Sequence, residues 1–290
     1  MSADRLRLLA HPAVASAFGR ELGQHVEYRE QLGSTQDRAK ELAPGPAVVV
    51  TDLQTAGRGT SDRTWVADRG TSILASFVLP GPPAASAVAS LVAGVGVARA
   101  LEALGLPGAR LKWPNDVLLR GRKVAGILTH LATGAGGHVI VGVGLNVTQS
   151  DGELTGFRSP ATSLAIEGLA VDRLVALEVL ARAITAVFAL PPEDALAEWR
   201  QRSNMLGHVV SVARAGAEPV RGLAAALDPD GALRVETAYG PERILAGEVT
   251  VEDLSANEEG FARRGSPTSP EQRGRGTEAA ADAPSRSSRQ

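Results

Sequence analysis

Short apolar runs separated by turn residues constrain the fold of this chain more than any other feature of its sequence. Runs of strand length, rich in Val, Ile and Leu, occupy residues 47–51, 73–79, 124–131 and 138–145. Runs of this length and composition are typical of buried strands. Between the second and third runs, Val88, Leu91 and Val95 fall near a 3.6-residue period and predict a core helix over residues 86–104.

Capping and turn residues place the remaining elements. Ser34 is a predicted N-cap, because its side chain can accept from the free amides of a first helical turn, and Asp172 is predicted to begin a helix that runs to about residue 190. Shorter helices are predicted within residues 1–33 (around Leu6, Leu8, Leu9 and Val14) and near 195–202, and strands over residues 25–28, 110–113 and 117–119. Beyond Gly207, alternating runs at residues 209–212, 220–223, 233–236 and 243–251 predict a small all-β module.

Everything after Leu254 lacks the apolar residues that a core needs. Residues 255–290 contain no Leu, Ile, Val or Met, and Phe261 is their only large apolar side chain. Such a segment buries too little surface to offset the entropy lost on ordering. We therefore expect residues 255–290 to form a disordered tail.

Composition excludes several classes of function. The chain has no cysteine, which excludes disulfides, thiolate metal sites and a cysteine nucleophile. Its formal net charge of −2 gives no overall attraction to nucleic acid. The N-terminus lacks the apolar core of a signal peptide, and the apolar segment 84–98 is shorter than the roughly 20 residues that span a bilayer. We expect a cytoplasmic protein.

A glycine-flanked arginine marks the first candidate site. Residues 54–59 read Gln-Thr-Ala-Gly-Arg-Gly and follow a predicted strand. The glycines allow backbone amides to approach an anion, and the Arg58 guanidinium is a forked donor suited to carboxylate or phosphate oxygens. Trp65, close behind, could stack on a purine once the loop closes. Taken alone, this loop is more often a plain turn with a solvated arginine, and Trp65 a core anchor.

A second candidate site surrounds Lys123. The strand-like residues 112–116 (Lys-Trp-Pro-Asn-Asp) place Asn115 and Asp116 at a strand end, where sites of α/β sheets commonly collect. Lys123 begins an apolar run that would carry its side chain toward the sheet, and Gly126 lets a ligand pack against the backbone. Taken singly, Lys123 is more often a surface lysine, and Asp116 a solvated carboxylate at the end of a strand.

Five separated motifs together resemble the biotin protein ligases. In order they are Ser34-Thr35-Gln36, residues 54–59, residues 112–116, Arg122-Lys123-Val124-Ala125-Gly126-Ile127-Leu128 and Gly142-Val143-Gly144-Leu145-Asn146. Their order and spacing match that family from about residue 34 to residue 254. The resemblance implies an α+β fold, in which a catalytic domain with a mixed sheet, like that of class II aminoacyl-tRNA synthetases, precedes an SH3-like β-barrel. We expect the catalytic biotin- and ATP-binding domain over residues 1–204, the barrel over 205–254 and the tail over 255–290.

The resemblance also implies a reaction in two steps. ATP and biotin would give biotinoyl-5′-AMP and pyrophosphate, and a lysine of a biotin carboxyl carrier domain, in acetyl-CoA carboxylase or another acyl-CoA carboxylase, would then accept the biotinoyl group. Mg²⁺ is expected to arrive with the ATP phosphates rather than in a protein cage, with Asn115 as its nearest protein ligand. We expect a monofunctional enzyme, a monomer or weak homodimer that binds neither DNA nor membrane, because residues 1–33 are too few for a winged helix domain.

Each candidate residue takes a role by resemblance. The predicted catalytic residues are Lys123, Arg58 and Asp116, with Lys123 contacting both the biotin carboxylate and the α-phosphate. The predicted biotin contacts are Ser34, Thr35, Gln54, Arg58, Lys123 and Gly126. The predicted ATP and adenylate contacts are Arg58, Thr60, Arg63, Trp65, Lys112, Asn115 and Asn146. Fixed positive charge suits the first step, because a carboxylate must approach a triphosphate.

Blander interpretations and two rival functions stay open. Taken singly, Ser34 and Thr35 are no more than a helix cap, and Asn146 is a turn residue. A lipoate or octanoate ligase of the same superfamily shares the lysine and the sheet, but its apolar substrate has no partner for the polar Gln54. A non-catalytic nucleotide- or carrier-binding module predicts binding without pyrophosphate release.

The arginine loop departs from the family pattern. Many relatives continue it as Gly-Arg-Gly-Arg-x-Gly-Arg, whereas this chain has Thr60, Ser61 and Asp62 before Arg63. One cation and one glycine are lost and an anion is gained. We predict that the adenylate dissociates faster than in relatives with the extra arginine, as stopped-flow release rates would show.

Overall fold

Two β-sheets and four α-helices make up the part of the chain that the computed structural model describes, which is residues 5–12, 15, 25–43, 45–60, 63–80, 86–132, 138–156 and 159–252. The strands are β1 (His25–Leu32), β2 (Ala47–Gln54), β3 (Ser72–Pro80), β4 (Arg110–Lys112), β5 (Asp116–Leu119), β6 (Arg122–Ala132), β7 (His138–Asn146), β8 (Val209–Arg214), β9 (Ala217–Leu227), β10 (Leu233–Thr237), β11 (Gly240–Ile244) and β12 (Glu248–Val251). The helices are α1 (Thr35–Leu42), α2 (Ser86–Ala103), α3 (Arg173–Phe188) and α4 (Pro192–Arg202), with a 3₁₀ helix over Arg5–Ala10.

The first seven strands form a mixed sheet in the order β1-β2-β3-β7-β6-β5-β4. Only the β1–β2 pair is parallel, and the other five pairs are antiparallel. Its two faces are separated by the alternation of side chains along each strand. Val48 and Val50 belong to the large core on the α2 and α3 side, whereas Ala47 and Val49 pack with Ala39 of α1 on the other.

Side-chain caps begin two helices where the sequence predicts. The Ser34 hydroxyl accepts from the Gln36 amide at 3.2 Å, and the Asp172 carboxylate accepts from the Leu174 amide at 2.9 Å. Each cap satisfies an amide that has no intrahelical partner. The predicted helix starts at Ser34 and Asp172 are therefore confirmed.

The strands predicted over residues 110–113 and 117–119 are confirmed to within one residue, whereas the description of residues 112–116 as one strand-like segment is wrong. β4 ends at Lys112 and β5 begins at Asp116, so the residues between them form the turn of a hairpin. Pro114 has no amide hydrogen and cannot take part in a sheet ladder on that side. The error matters for the site, because a turn places Asn115 and Asp116 beside Lys112 rather than farther along a strand.

A separate antiparallel sheet follows α4, in the order β11-β10-β9-β8-β12. The apolar pattern predicts one segment over residues 243–251, but the structure divides it between β11 and β12 because the chain turns at residues 245–247. Residues Met1–Glu252 form a single compact unit that contains both sheets. The buried Trp113 connects them through its indole Nε1, which donates to the Gly231 carbonyl at 2.9 Å.

Several predictions concern residues outside the described part of the chain. They are Val14 of the first helix, Ser61 and Asp62 of the arginine loop, and the tail at 255–290. The boundary expected between residues 204 and 205 falls between α4 and β8, and it stays a prediction. Among the described helices, none combines the length and the apolar character that crossing a bilayer requires.

Candidate active site

A cavity of about 230 Å³ opens on the α1 side of the seven-stranded sheet. Every residue to which the sequence assigns a site role lies in its wall. They are Ser34, Thr35, Gln54, Arg58, Thr60, Arg63, Trp65, Lys112, Asn115, Asp116, Lys123, Gly126 and Asn146. The structure thus brings together residues from α1, five strands and the loops between them, while the role of each remains a prediction.

Small residues in register form the floor of this cavity. Gly142 of β7 pairs with Ser76 of β3, and Gly144 pairs with Gly126 of β6. Because successive side chains of a strand point to opposite faces, Val141 and Val143, which alternate with these glycines, point into the core on the α2 and α3 side. The absence of side chains at these glycines lets other side chains lie directly on the backbone of the sheet, Trp65 at Gly126 and Gly144 and Gln36 at Gly142.

Hydroxyl and carboxamide groups line one end of the cavity. The Thr35 amide donates to Gln54 Oε1 at 2.8 Å, and the Thr35 hydroxyl donates to the same oxygen at 3.1 Å. A backbone amide can only donate, so the Gln54 carboxamide must turn its oxygen to Thr35 and its nitrogen away. This end suits a ligand that carries both hydrogen-bond donors and acceptors.

Lys123 projects into the cavity beside a carboxylate. Its Nζ lies 2.5 Å from Asp116 Oδ1, and about a quarter of its side chain is exposed (27%). Hydrogen bonds from the Lys123 amide to the Pro160 carbonyl and from the Thr162 amide to the Lys123 carbonyl hold its backbone, at 2.8 and 2.9 Å. The lysine is a fixed cation at the cavity wall rather than a freely solvated one.

Two arginines of the loop are held by carboxylates from other elements. Arg58 Nη2 lies 2.8 Å from Asp37 Oδ2 on α1, and Arg63 Nη1 lies 3.2 Å from Glu248 Oε1 on β12. Both arginine side chains remain about half exposed. An anionic ligand in the cavity would therefore meet guanidinium groups that are already oriented but still accessible.

The indole of Trp65 lies on the glycine floor. A methyl group on Gly126 or Gly144 would overlap ring atoms of Trp65, and Lys123 Nζ is 5.7 Å from the ring centroid, within cation–π range. Trp65 Nε1 is buried without a hydrogen-bond partner among the described residues. Trp65 thus belongs to the cavity wall and not to either apolar core.

Two asparagines of the site also serve the fold. Asn115 Nδ2 donates to the Ile127 carbonyl at 3.0 Å, which ties the β4–β5 turn to β6. Asn146 is buried, donates to the Thr162 carbonyl at 2.9 Å and accepts from Gln149 at 3.2 Å. Lys112, partly exposed, ends β4 at the cavity wall.

Gln36, Ser76 and Glu248 are among the cavity residues to which the sequence interpretation gave no role. Gln36 and Ser76 are buried beneath its polar end, and Glu248 reaches it from the second sheet. Ser76 carries a usable signal, because it is a polar residue inside an apolar strand run. Glu248 carries none, because 185 residues separate it from its partner Arg63.

Comparisons with known proteins show the family of this chain. Residues 28–146 match the Biotin/lipoate A/B protein ligase family, and residues 206–251 match the Biotin protein ligase C terminal domain. The biotin–[acetyl-CoA-carboxylase] ligase of Mycobacterium tuberculosis is 37% identical over 237 residues, which cover 76% of this chain and 86% of the relative. The protein of the same name from Paracoccus denitrificans is 36% identical over 237 residues, covering 74% and 96%.

The fold of this chain is also similar to that of a solved biotin protein ligase. The biotin protein ligase from Aquifex aeolicus in complex with biotin and ATP superposes with a TM-score of 0.64 at 28% identity, covering 78% of this chain and 98% of that one. Fold and cavity thus define a protein ligase of the biotin/lipoate class. Within that class, the chain belongs to the biotin protein ligases.

Proposed function

We propose that the chain activates biotin with ATP and attaches it to a lysine of a biotin carboxyl carrier domain. In the first step a biotin carboxylate oxygen attacks the α-phosphorus of ATP, and pyrophosphate leaves. In the second step the lysine amine attacks the acyl carbon of biotinoyl-5′-AMP, and AMP leaves. An amide forms at neutral pH only because adenylation has turned the carboxylate oxygen into a good leaving group.

The observation that carries this proposal is the convergence of Arg58 and Lys123 on one cavity. They come from distant parts of the chain, and both are cations in the wall of the same cavity. The first step brings a carboxylate against a triphosphate, so charge must be neutralised where the two meet. Lys123, held at the cavity wall beside Asp116, is the group proposed to contact both reacting anions.

The remaining residues divide between the two substrates in this proposal. Ser34, Thr35 and Gln54 contact the ureido ring of biotin, whose donors and acceptors match theirs. Arg63, Trp65 and Lys112 contact the adenylate, with Thr60, Asn115 and Asn146 near it. Asp116 lies beside Lys123, where its carboxylate attracts the ammonium of the incoming carrier lysine.

Mg²⁺ is proposed as a companion of ATP. Bound to the phosphates it neutralises part of their charge, and it usually takes only one or two oxygens from protein. Asp116 and the side-chain oxygen of Asn115 are the oxygen donors of the β4–β5 turn in the cavity wall. This donor set fits a cation held mainly by water and phosphate.

Two finer features of the fold belong to the same proposal. We assign the seven-stranded sheet to a catalytic domain like that of class II aminoacyl-tRNA synthetases, and the five-stranded sheet to an SH3-like barrel. The antiparallel pairing of β8 to β12 and the match of residues 206–251 to a ligase C-terminal domain support the second assignment.

Intact mass spectrometry of a carrier domain tests the function. After incubation with the protein, ATP, Mg²⁺ and biotin, the carrier is expected to gain one biotinoyl group on one lysine, and to gain nothing when ATP is omitted. Replacing biotin by lipoate in a parallel reaction tests the rival ligase. No mass gain with a carrier that a known biotin ligase does modify would refute the proposal.

A further inference from the structure

A chain of polar side chains, buried except at the half-buried His130, runs along the cavity face of the sheet from His130 to Thr35. Gln36 Nε2 lies 2.9 Å from His130 Nδ1, and Ser76 Oγ lies 3.0 Å from Gln36 Oε1 and 2.9 Å from Thr35 Oγ1. Gln36 and Ser76 are almost fully buried, at 3% and 0% exposure. The chain ends at Thr35, which lies in the cavity wall.

The orientation of the Gln36 carboxamide follows from its neighbours. Its nitrogen lies 3.3 Å from the Leu128 carbonyl and 3.3 Å from the Ile140 carbonyl, and carbonyl oxygens only accept. The nitrogen must therefore point toward β6 and β7, and the oxygen toward Ser76. His130 then serves as an acceptor through Nδ1, which requires a neutral ring with its proton on Nε2.

This orientation sets the direction of every hydroxyl in the chain. Ser76 has one hydroxyl proton and donates it to Gln36 Oε1, so in the 2.9 Å contact between Ser76 Oγ and Thr35 Oγ1 the Thr35 hydroxyl is the donor, and it shares its proton between Ser76 Oγ and Gln54 Oε1. The lone pairs of Thr35 Oγ1 then remain available to an N–H of a ligand. If Gln36 were reversed, its nitrogen would donate to Ser76, Ser76 would donate to Thr35, and a lone pair of Thr35 would be lost to the ligand.

We propose that His130 and Gln36 are positioning residues that fix the hydrogen-bonding polarity of the biotin pocket, so that protonation of His130 weakens biotin binding. This inference rests on the proposed function, because it takes the Thr35 end of the cavity as the site of the ureido ring. Protonated His130 would turn an N–H toward the Gln36 amino group. Reversing Gln36 to avoid that contact would place its oxygen against two carbonyls.

The surroundings of His130 favour the neutral ring. Burial lowers the pKa of His130 below its ordinary value of 6.5, and the positive charges of Lys40 on α1 and Arg58 in the loop lower it further, while Asp37 on α1 opposes them. The acceptor is therefore present at neutral pH and is lost as the pH falls through this lowered value.

Calorimetric titration of the full chain with biotin, without ATP, tests the inference from about pH 8 to about pH 5. Wild-type affinity is expected to fall on acidification. His130→Leu removes the acceptor, so its affinity at neutral pH is expected to be about three- to tenfold weaker and to lose the His130 component of the pH dependence. His130→Asn places a non-titrating oxygen at the position of Nδ1 and is expected to restore neutral-pH affinity without that component.

A matched control and a kinetic readout separate this role from a structural one. His25→Asn, on the exposed side of β1, is expected to keep the wild-type pH profile. The His130→Leu change is expected to raise the KM for biotin while leaving kcat for pyrophosphate release nearly unchanged. The inference is overturned if His130→Asn, shown to be folded by circular dichroism, keeps the wild-type pH profile. Absence of biotin binding by the wild type would instead refute the proposed function.

Discussion

Lys123 is a positively charged residue of the cavity wall, and both its backbone and its side chain are held in place. Its backbone is bonded on both sides and its ammonium is paired with Asp116, so little reorganisation is needed when an anion arrives. Preorganised charge of this kind is among the largest contributions to catalysis. A neutral side chain of similar length should therefore fold well and fail in chemistry.

We expect Lys123→Met to lower the rate of biotin-dependent pyrophosphate release by about 100-fold or more. The control is Arg182→Ala, which removes a cation from the surface pair with Glu178 on α3 and should leave the rate unchanged. Circular dichroism should show both variants folded. A rate within about threefold of wild type for Lys123→Met would contradict the assigned role.

Asp52 sits at the centre of a buried ion pair behind the cavity. Burial alone would raise the pKa of Asp52, but hydrogen bonds from Arg173 at 2.7 Å and Tyr28 at 2.8 Å outweigh it, so the pKa lies below its ordinary value of 3.8. The ionised form therefore favours the folded state. This contribution is complete above the unfolded-state pKa and is lost as the pH falls through the lower folded-state pKa.

Asp52→Asn is expected to lower the free energy of unfolding by about 3–5 kcal/mol at neutral pH, because Arg173 is left buried without its carboxylate. Acidification below about pH 4 should then destabilise the variant less than the wild type. Urea unfolding at several pH values measures both effects, with Glu178→Gln as a surface control. Parallel pH profiles for Asp52→Asn and wild type would show that the pair does not carry the acid sensitivity.

Which residues line the site could be predicted from the sequence better than how they contact one another. Arg58, Lys123 and Gly126 could be selected because their motifs occur together in the order and spacing of one family, although each alone has an ordinary interpretation, and the structure places all three in one cavity. Gln36 could not be given a role, because its function depends on carbonyls and a histidine about 92 to 104 residues away. Contacts of that range leave no local pattern.

At the scale of elements, strand β12 closes the cavity against the arginine loop. The Arg63–Glu248 pair joins them, with Glu248 24% and Arg63 48% exposed. Exposed pairs of this kind contribute little to stability, typically about 0.2–1 kcal/mol. Loss of the pair should therefore weaken the binding of nucleotide by the arginine loop and have little effect on the stability of the fold.

We expect Glu248→Gln to raise the KM for ATP about two- to fivefold with little change in the melting temperature. Glu252→Gln is the matched control, because Glu252 pairs with Arg221 in the same sheet, at 2.6 Å, outside the cavity wall. Steady-state kinetics at fixed biotin measures the effect. Equal KM values for both variants would show that the Arg63 contact does not assist nucleotide binding.

Element boundaries were predictable where a local side chain sets them. Ser34 and Asp172 cap their helices through bonds two residues away, so their positions could be predicted from the chain alone. The break between β4 and β5 was predicted, because separate strands were expected over residues 110–113 and 117–119, and the two strand ends at the turn were each misplaced by one residue. The order of strands in the sheet depends on pairing between distant segments, which no single run encodes.

At the scale of the whole molecule, Trp113 joins the two sheets. It is almost fully buried in the β4–β5 turn, and its indole donates to the Gly231 carbonyl in the turn between β9 and β10 of the second sheet. Trp113→Phe leaves the Gly231 carbonyl without this donor, and the expected loss in the free energy of unfolding is about 1–3 kcal/mol. Urea denaturation measures it, and Trp199→Phe, the same truncation at another buried indole, should cost less. An equal loss in both variants would mean that the hydrogen bond adds nothing beyond packing.

Because valine and glycine alternate along β7, the same strand register is required for a well-packed core and for an open binding cavity. A shift of β7 by one residue against β6 would exchange the two faces of the strand. Val141 and Val143 would then point into the cavity, and Gly142 and Gly144 would face the core beneath α2, where they would leave holes. A misaligned molecule would lose apolar packing and its binding cleft in the same event. Such molecules should unfold readily rather than accumulate as stable, inactive copies of the enzyme.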